Sequence, residues 1–188
     1  MANIDFITDR LATGGDLPAD VDLAVADLAD LVDVGVTHIV DCRVEWSDEE
    51  LVAALAPGLS YLHHGVDDAG QRMPGRWFDA GVAFVLAALE EPGTKVLTHC
   101  HMGINRGPSL AYAILLAQGW DPVDALDAIR TTRPIAAVGY AEDALDWHHR
   151  RTGTAETARA HDRRRLAAWR RANHIDMATI IRGIRQAG

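Results

Sequence analysis

"KVLTHCHMGINRGPSLAYAILLAQ", Lys95 to Gln118, is the stretch on which the fold of this chain turns. An apolar run ends in His-Cys, a short loop holding Gly103 closes on Arg106, and a long apolar stretch follows Gly107-Pro108-Ser109. Residues 94–100 read as an apolar strand centred on Val96-Leu97, of the kind expected in the middle of a parallel sheet covered on both faces. Residues 107–119 read as an apolar helix stopped by Gly119. In parallel sheets, ligands bind at the carboxyl ends of the strands, which is where Cys100 falls.

On either side of this segment, strand-like and helix-like stretches alternate. Residues 4–8 and 11–15 read as short strands around a turn, and 19–35 as a helix stopped by Gly35. Residues 37–42 read as a buried strand, and 47–58 as a helix with Ser47 as its cap and acids in its first turn. Residues 59–66 form a further strand and 75–93 a long amphipathic helix ending at Pro92-Gly93. Residues 121–134 form a helix capped by Asp121 with Pro122 at its first position. Residues 140–151 continue as helix, and one or two tail helices follow. This alternation predicts an α/β fold: a mostly parallel sheet of about four to five strands flanked by helices, with a helical C-terminal extension. The expected division is 1–150 for the main domain and 151–188 for a basic helical extension packed on or appended to it.

The 188 residues suffice for one well-buried domain. No apolar run is long enough to span a bilayer. The start, "MANIDFITDRLATGGD", has neither the basic region nor the apolar core of a signal peptide. Two cysteines make no disulfide framework, so a cytoplasmic protein with reduced thiols is expected. Arginine and alanine abound while Lys95 is the sole lysine, which reads as the codon bias of a GC-rich bacterial genome. The net charge of −9 is unevenly spread: from His148 onward ten Arg face three acids (+7), leaving −16 for residues 1–147. The acidic body argues against nucleic-acid binding. The basic tail offers a contact to an anionic partner, or else forms a solvated face that pairs with the acidic body.

Cys100 and Arg106 belong together on chemical grounds. Backbone N–H groups of a loop curling back from a strand into a helix point inward, and the helix N-terminus adds partial positive charge. That makes an anion cradle of phosphate size. Arg106 adds a planar, bidentate grip, and the same field favours thiolate over thiol at Cys100. Gly103 lets the loop approach closely. The other reading is a buried free cysteine near a surface arginine. A zinc site from His63, His64, His99, Cys100 and His101 is disfavoured, because adjacent His-Cys-His at a strand end cannot easily converge on one ion. Arg43, Arg72 and Arg76 are expected in loops at the pocket rim.

The segment "VLTHCHMGINRG" resembles the HCxxGxxR signature of the protein tyrosine phosphatases, specifically the small dual-specificity class. "YLHHGVDDAG", "AIRTTRPIAAVGYAEDALDW", "DRLATGGDLP" and "GVTHIVDC" are similar to other parts of that family, so the resemblance covers about Ile4 to Trp147. It implies a metal-free, cofactor-free hydrolase of phosphate monoesters working through a cysteinyl-phosphate. Cys100 would be the nucleophile and Arg106 the clamp. His101, Met102, Gly103, Ile104 and Asn105 would form the substrate-binding loop. Asp68, 32 residues before Cys100, would be the proton donor, with Asp67 as runner-up. His99 would bond the loop backbone and orient Cys100. Cys42 matches a position where the lipid-phosphatase branch carries a redox partner for the nucleophile, and a buried structural thiol is the competing reading.

The implied substrate is a phosphorylated protein, with a small-molecule or RNA phosphoester as an alternative. Phosphoinositides fit less well, since the loop has no basic residue beyond His101 before Arg106. Without long insertions, a shallow, permissive pocket is expected. One departure stands out: the family's hydroxyl residue after the arginine is Gly107 here. In the family that hydroxyl helps the intermediate break down, so its loss implies slower turnover. Taken further, it implies a phosphate-binding module with little turnover. Ser109 sits two residues on and is expected to point elsewhere.

Overall fold

The structure is a computed structural model and describes residues 2–187. The chain opens with an antiparallel pair, β1 (Ile4–Phe6) and β2 (Leu11–Gly14). Next come α1 (Val21–Asp33), β3 (His38–Arg43), α2 (Glu49–Leu55), β4 (Ser60–Val66), α3 (Gly75–Glu90) and β5 (Val96–His99). Five further helices complete the described residues: α4 (Arg106–Ala117), α5 (Pro122–Thr132), α6 (Ala141–Thr152), α7 (Glu156–Ala172) and α8 (Met177–Ala187). The sheet order is β1-β2-β5-β3-β4, and every pairing after the first is parallel. This is the expected α/β architecture, and the tail forms two helices.

Alternation along the strands decides the layers. Ala12, Ile39 and Leu97 point to one face and pack with Leu28 and Leu31 of α1 and Val52 of α2. Leu11, Val40, Cys42, Val96 and Cys100 belong to the other face, where α3 to α6 build the larger core. β5 lies between β2 and β3 and all four of its residues are buried, the polar Thr98 and His99 along with Val96 and Leu97. From Arg106 to Leu116, α4 is buried on every side. The division expected at residue 150 falls inside α6, and Leu166 and Trp169 of α7 are buried in the same core. No helix among the described residues is long and apolar enough to cross a membrane.

One local expectation changes. Asp48, not Ser47, takes the N-cap position of α2. The Asp48 carboxylate is drawn to Arg43 instead of capping, and Ser47 Oγ accepts from the Glu49 N–H at 3.2 Å. At α5 the cap is as expected: Asp121 accepts from the Val123 and Asp124 N–H groups, and Pro122 stands first in the helix.

Candidate active site

Cys100 follows the last residue of β5 and is 3% exposed. Its loop runs to Arg106 at the start of α4, so the expected strand–loop–helix cradle is present. The loop is held from behind. The Cys100 N–H donates to Gly14 O at 3.4 Å, and the Asp16 N–H donates to His101 O at 3.1 Å. Arg133 is buried and turns three of its donors inward: Nε to Gly103 O at 2.7 Å, Nη2 to Met102 O at 3.0 Å, and Nη1 to Asp5 at 2.7 Å. Engaging the carbonyls of residues 102 and 103 from the rear leaves the opposite side of those peptides to the pocket.

Gly103 has φ +63°, and a Cβ there would meet the Gly14 backbone at 2.5 Å and Arg133 at 2.4 Å. Both conformation and space therefore demand glycine. Gly107 is confined as well: a Cβ would lie 2.9 Å from Thr98 O and 3.0 Å from His99 Cα. In this chain, glycine brings α4 close against β5. Ser109 Oγ is engaged elsewhere, accepting from the Tyr140 N–H at 3.2 Å.

Arg106 is 3% exposed and lines a pocket of about 270 Å3 together with Glu45, Asp68, Cys100, His101, Met102, Ile104, Asn105, and Met177 and Ile181 of α8. Glu45 grips the guanidinium with both oxygens, at 2.7 Å from Nη1 and 2.9 Å from Nη2. That contact holds the Glu45 carboxyl below its usual range. Nη1 also donates to Val66 O at 3.0 Å, and Nε has no hydrogen-bond partner among the described residues.

Asp68 stands at the mouth. Its Oδ1 accepts from Asn105 Nδ2 at 2.6 Å and from Tyr140 OH at 3.0 Å, and Oδ2 lies 3.5 Å from Arg106 Nε. Burial, then the neighbouring Asp68, push the Tyr140 phenol up to about 12, so it remains a donor. Asp67 does not line the pocket; its backbone carbonyl accepts from Gln71. The geometry therefore brings together Cys100, Arg106 and Asp68, and not Asp67.

Behind the loop lies a buried charge network. Arg43 is fully buried and bound to Asp41, Asp48 and Asp16, so it is a structural cation and not the rim residue expected. Arg72 pairs with Asp143 on the surface, and neither it nor Arg76 lines the pocket. Burial opposes ionisation of Asp41, but hydrogen bonds from Arg43 and Tyr61 outweigh it and keep its carboxyl below the usual range. His99 Nε2 sits 3.8 Å from Asp41 Oδ1, too far for a hydrogen bond, and burial lowers the imidazole to about 4. His99 is thus neutral beside a carboxylate, without the hydrogen bond to the loop backbone that the resemblance implied. His101 instead donates from Nδ1 to Asp16 at 2.7 Å and packs edge-on against Trp46. His63 and His64 donate separately to the carbonyls of Arg43 and Trp77.

Cys42 ends on the same face as Cys100. The register pairs Asp41 with His99, which makes the two cysteines neighbours on adjacent strands. Both are free thiols, and burial pushes the Cys42 thiol well up. Glu45, Tyr140 and Arg133 take part in the site although the sequence singled out none of them for a role. Only the Arg-Pro pair at 133–134 carried a signal, as part of the resemblance.

Comparison with known proteins gives a consistent picture. A family model described as the dual specificity phosphatase catalytic domain matches residues 23–143. Dual specificity protein phosphatase 13B of Homo sapiens is 28% identical over 119 residues, 60% of this chain and 58% of that protein. Its Mus musculus counterpart is 26% identical over the same length. The chain thus spans less than two thirds of the curated relatives it matches. Among solved structures, human DUSP28 superposes with a TM-score of 0.64 at 18% identity, covering 81% of this chain and 97% of that one. PTPMT1 in complex with PI(5)P superposes with a TM-score of 0.65 at 21% identity, covering 80% and 97%. At these identities the superpositions speak for the fold.

Proposed function

The chain belongs to the dual specificity phosphatase catalytic-domain family, and from that premise we propose that it is a cysteine-dependent phosphatase of phosphate monoesters, with phosphorylated protein as the substrate class. The observation that carries this reading is the convergence of Cys100, Arg106 and Asp68 on one pocket. In the first step the Cys100 sulfur attacks phosphorus, an S–P bond forms, and the P–O bond to the leaving group breaks. Asp68 gives its proton to the departing oxygen. In the second step water attacks the cysteinyl-phosphate, Asp68 takes the proton, and the thiolate is released with phosphate. Arg106 and the loop amides hold the equatorial oxygens throughout. Glu45 fills the edge of the guanidinium formed by Nη1 and Nη2, so the opposite edge, Nε–H with the second N–H of Nη2, is left for a two-point grip on an incoming oxyanion.

Gly107 favours a second reading within the same site, in which phosphate is bound and turned over slowly. Gly107 has no hydroxyl to offer where the family carries one, and Ser109 is occupied with Tyr140. Hydrolysis of p-nitrophenyl phosphate in chelator, followed by stopped flow, separates the two. Steady turnover, lost in Cys100→Ser and lowered roughly 10²–10⁴-fold in Asp68→Asn, supports the phosphatase. A burst followed by slow release assigns the missing hydroxyl its effect. Phosphate binding without any hydrolysis moves the chain to the binding module.

Cys42 belongs to this proposal as a redox partner of Cys100. Neighbouring positions on parallel strands place Cα atoms about 4.8 Å apart, within disulfide range. Peptide mapping after peroxide treatment should find Cys42 linked to Cys100, and finding only sulfinic acid at Cys100 would refute it.

A further inference from the structure

The family model ends at residue 143, and the two tail helices lie beyond it. α7 is pinned to the body: Leu166 and Trp169 are buried, Arg165 grips Asp121 at 2.6 and 2.8 Å, and Arg170 pairs with Glu142. The turn after it is fixed by Arg130, whose Nη1 donates to Asn173 O at 2.9 Å. Asp176 then opens α8, accepting from the N–H and the hydroxyl of Thr179. α8 is two-sided. Met177, Ile180, Ile181 and Ile184 recur at helical spacing, with Thr179 and Arg182 between them. Met177 and Ile181 of that apolar side line the pocket that holds Cys100 and Arg106.

The composition of the lining says what such a wall would accept. Met177 and Ile181 join Met102 and Ile104 of the loop as apolar surface beside the anion cradle. The remaining polar lining is Asn105, His101 and two carboxylates, Glu45 and Asp68, and Arg106 is the one Lys or Arg there among the described residues. One phosphate is provided for, further anionic groups are repelled, and the ester group meets thioether and aliphatic carbon. A flat apolar ring suits that surface, whereas a short alkyl chain leaves it uncovered. We propose that α8 is the specificity wall of this pocket, with Met177 and Ile181 selecting aryl over alkyl phosphate monoesters. This rests on the phosphatase reading and narrows its substrate class.

The test uses the full chain with phenyl phosphate and ethyl phosphate. The double variant Met177→Ser/Ile181→Ser should lower the ratio of kcat/KM for phenyl over ethyl by about tenfold, the loss expected when a ring gives up contact with two apolar side chains. The change should fall on KM for the aryl ester, and inhibition by vanadate should stay unchanged because the cradle is untouched. Met177→Leu/Ile181→Val should restore the ratio. An unchanged ratio overturns the proposal, and so does an equal rise of kcat/KM for both esters, which would make α8 a cover. The same ratio read as calorimetric affinities on the Cys100→Ser background needs no turnover. A chain that hydrolyses nothing therefore sinks the phosphatase reading, while the wall stands or falls on binding alone. Phosphotyrosine peptide binding more tightly than phenyl phosphate would identify a protein source of the aryl ester, and equal affinity a small-molecule one; either supports the wall.

Discussion

The floor of the pocket is held from several directions, whereas its outer wall is held at one end. Residues 100–106 are tied to β2 and the segment after it through Gly14 and Asp16, to the start of the chain through Arg133 and Asp5, and to β3 and the loop after it through Cys42 and Glu45. Among the described residues, α8 is tied to the body by the turn before it, where Arg130 donates to Asn173 O, while its Asp176 cap lies within its own first turn. The difference is chemical. A cradle must hold its N–H groups in place before the anion arrives, since its value lies in preorganisation. A wall that sorts ester groups needs only apolar surface at roughly the right distance.

The largest way to break this contrast is through the floor. Gly103→Ala puts a Cβ into the Gly14 backbone at a φ that alanine disfavours. We expect a loss of about 2–4 kcal/mol in stability and loss of vanadate inhibition, read by denaturation and by inhibition assays. A variant of native stability that still binds vanadate would mean that the floor is looser than its contacts imply.

An effect of similar size, but spread over a pH window and without loss of the cradle, is expected from acid. His99 has its imidazole lowered to about 4 from an ordinary 6.5, chiefly by burial. The unfolded chain takes up that proton near pH 6.5 and the folded chain only near 4. Between these values the unfolded state binds more protons, so stability falls as pH is lowered across the window and is level above it. The expected loss is roughly 3 kcal/mol. Asp41 is depressed instead, so its contribution is lost only below its ordinary value of 3.8, outside this window. Urea titrations between pH 7 and 4.5 should show the slope in the native chain and a flatter line in His99→Asn. Equal slopes would place the acid sensitivity elsewhere.

The same contrast explains what could be read in advance. Cys100, Gly103 and Arg106 lie within seven consecutive residues, so strand, loop and helix geometry brings them together and the sequence displays it. Asp68 was legible only through the resemblance, which implies an acid on the loop after β4, and it is Asp68, not Asp67, that Asn105 and Tyr140 bond at the pocket mouth. Glu45 was not legible, because nothing near it in sequence announces that the loop after β3 will meet an arginine 61 residues away. Arg43 was misjudged for the converse reason: Asp16, Asp41 and Asp48 converge on it only in the fold. The tail read as basic and helical, but charge said nothing of which face would reach the pocket.

The smallest expected effect tests how the wall is carried. Arg165 and Asp121 form the best-formed ion pair between tail and body, yet each is about a third exposed. Such a pair is screened by solvent and is worth under ~1 kcal/mol, and Asp121 keeps its role as cap of α5 without it. Burial of Leu166 is worth more, since truncating a fully buried leucine costs about 2–5 kcal/mol. Arg165→Ala should therefore shift stability only slightly and leave the phenyl-to-ethyl ratio untouched, whereas Leu166→Ala should lower both. If Arg165→Ala alone collapses the ratio, α7 is aligned by charge and not by its apolar face, and the wall would then respond to salt as the floor does not.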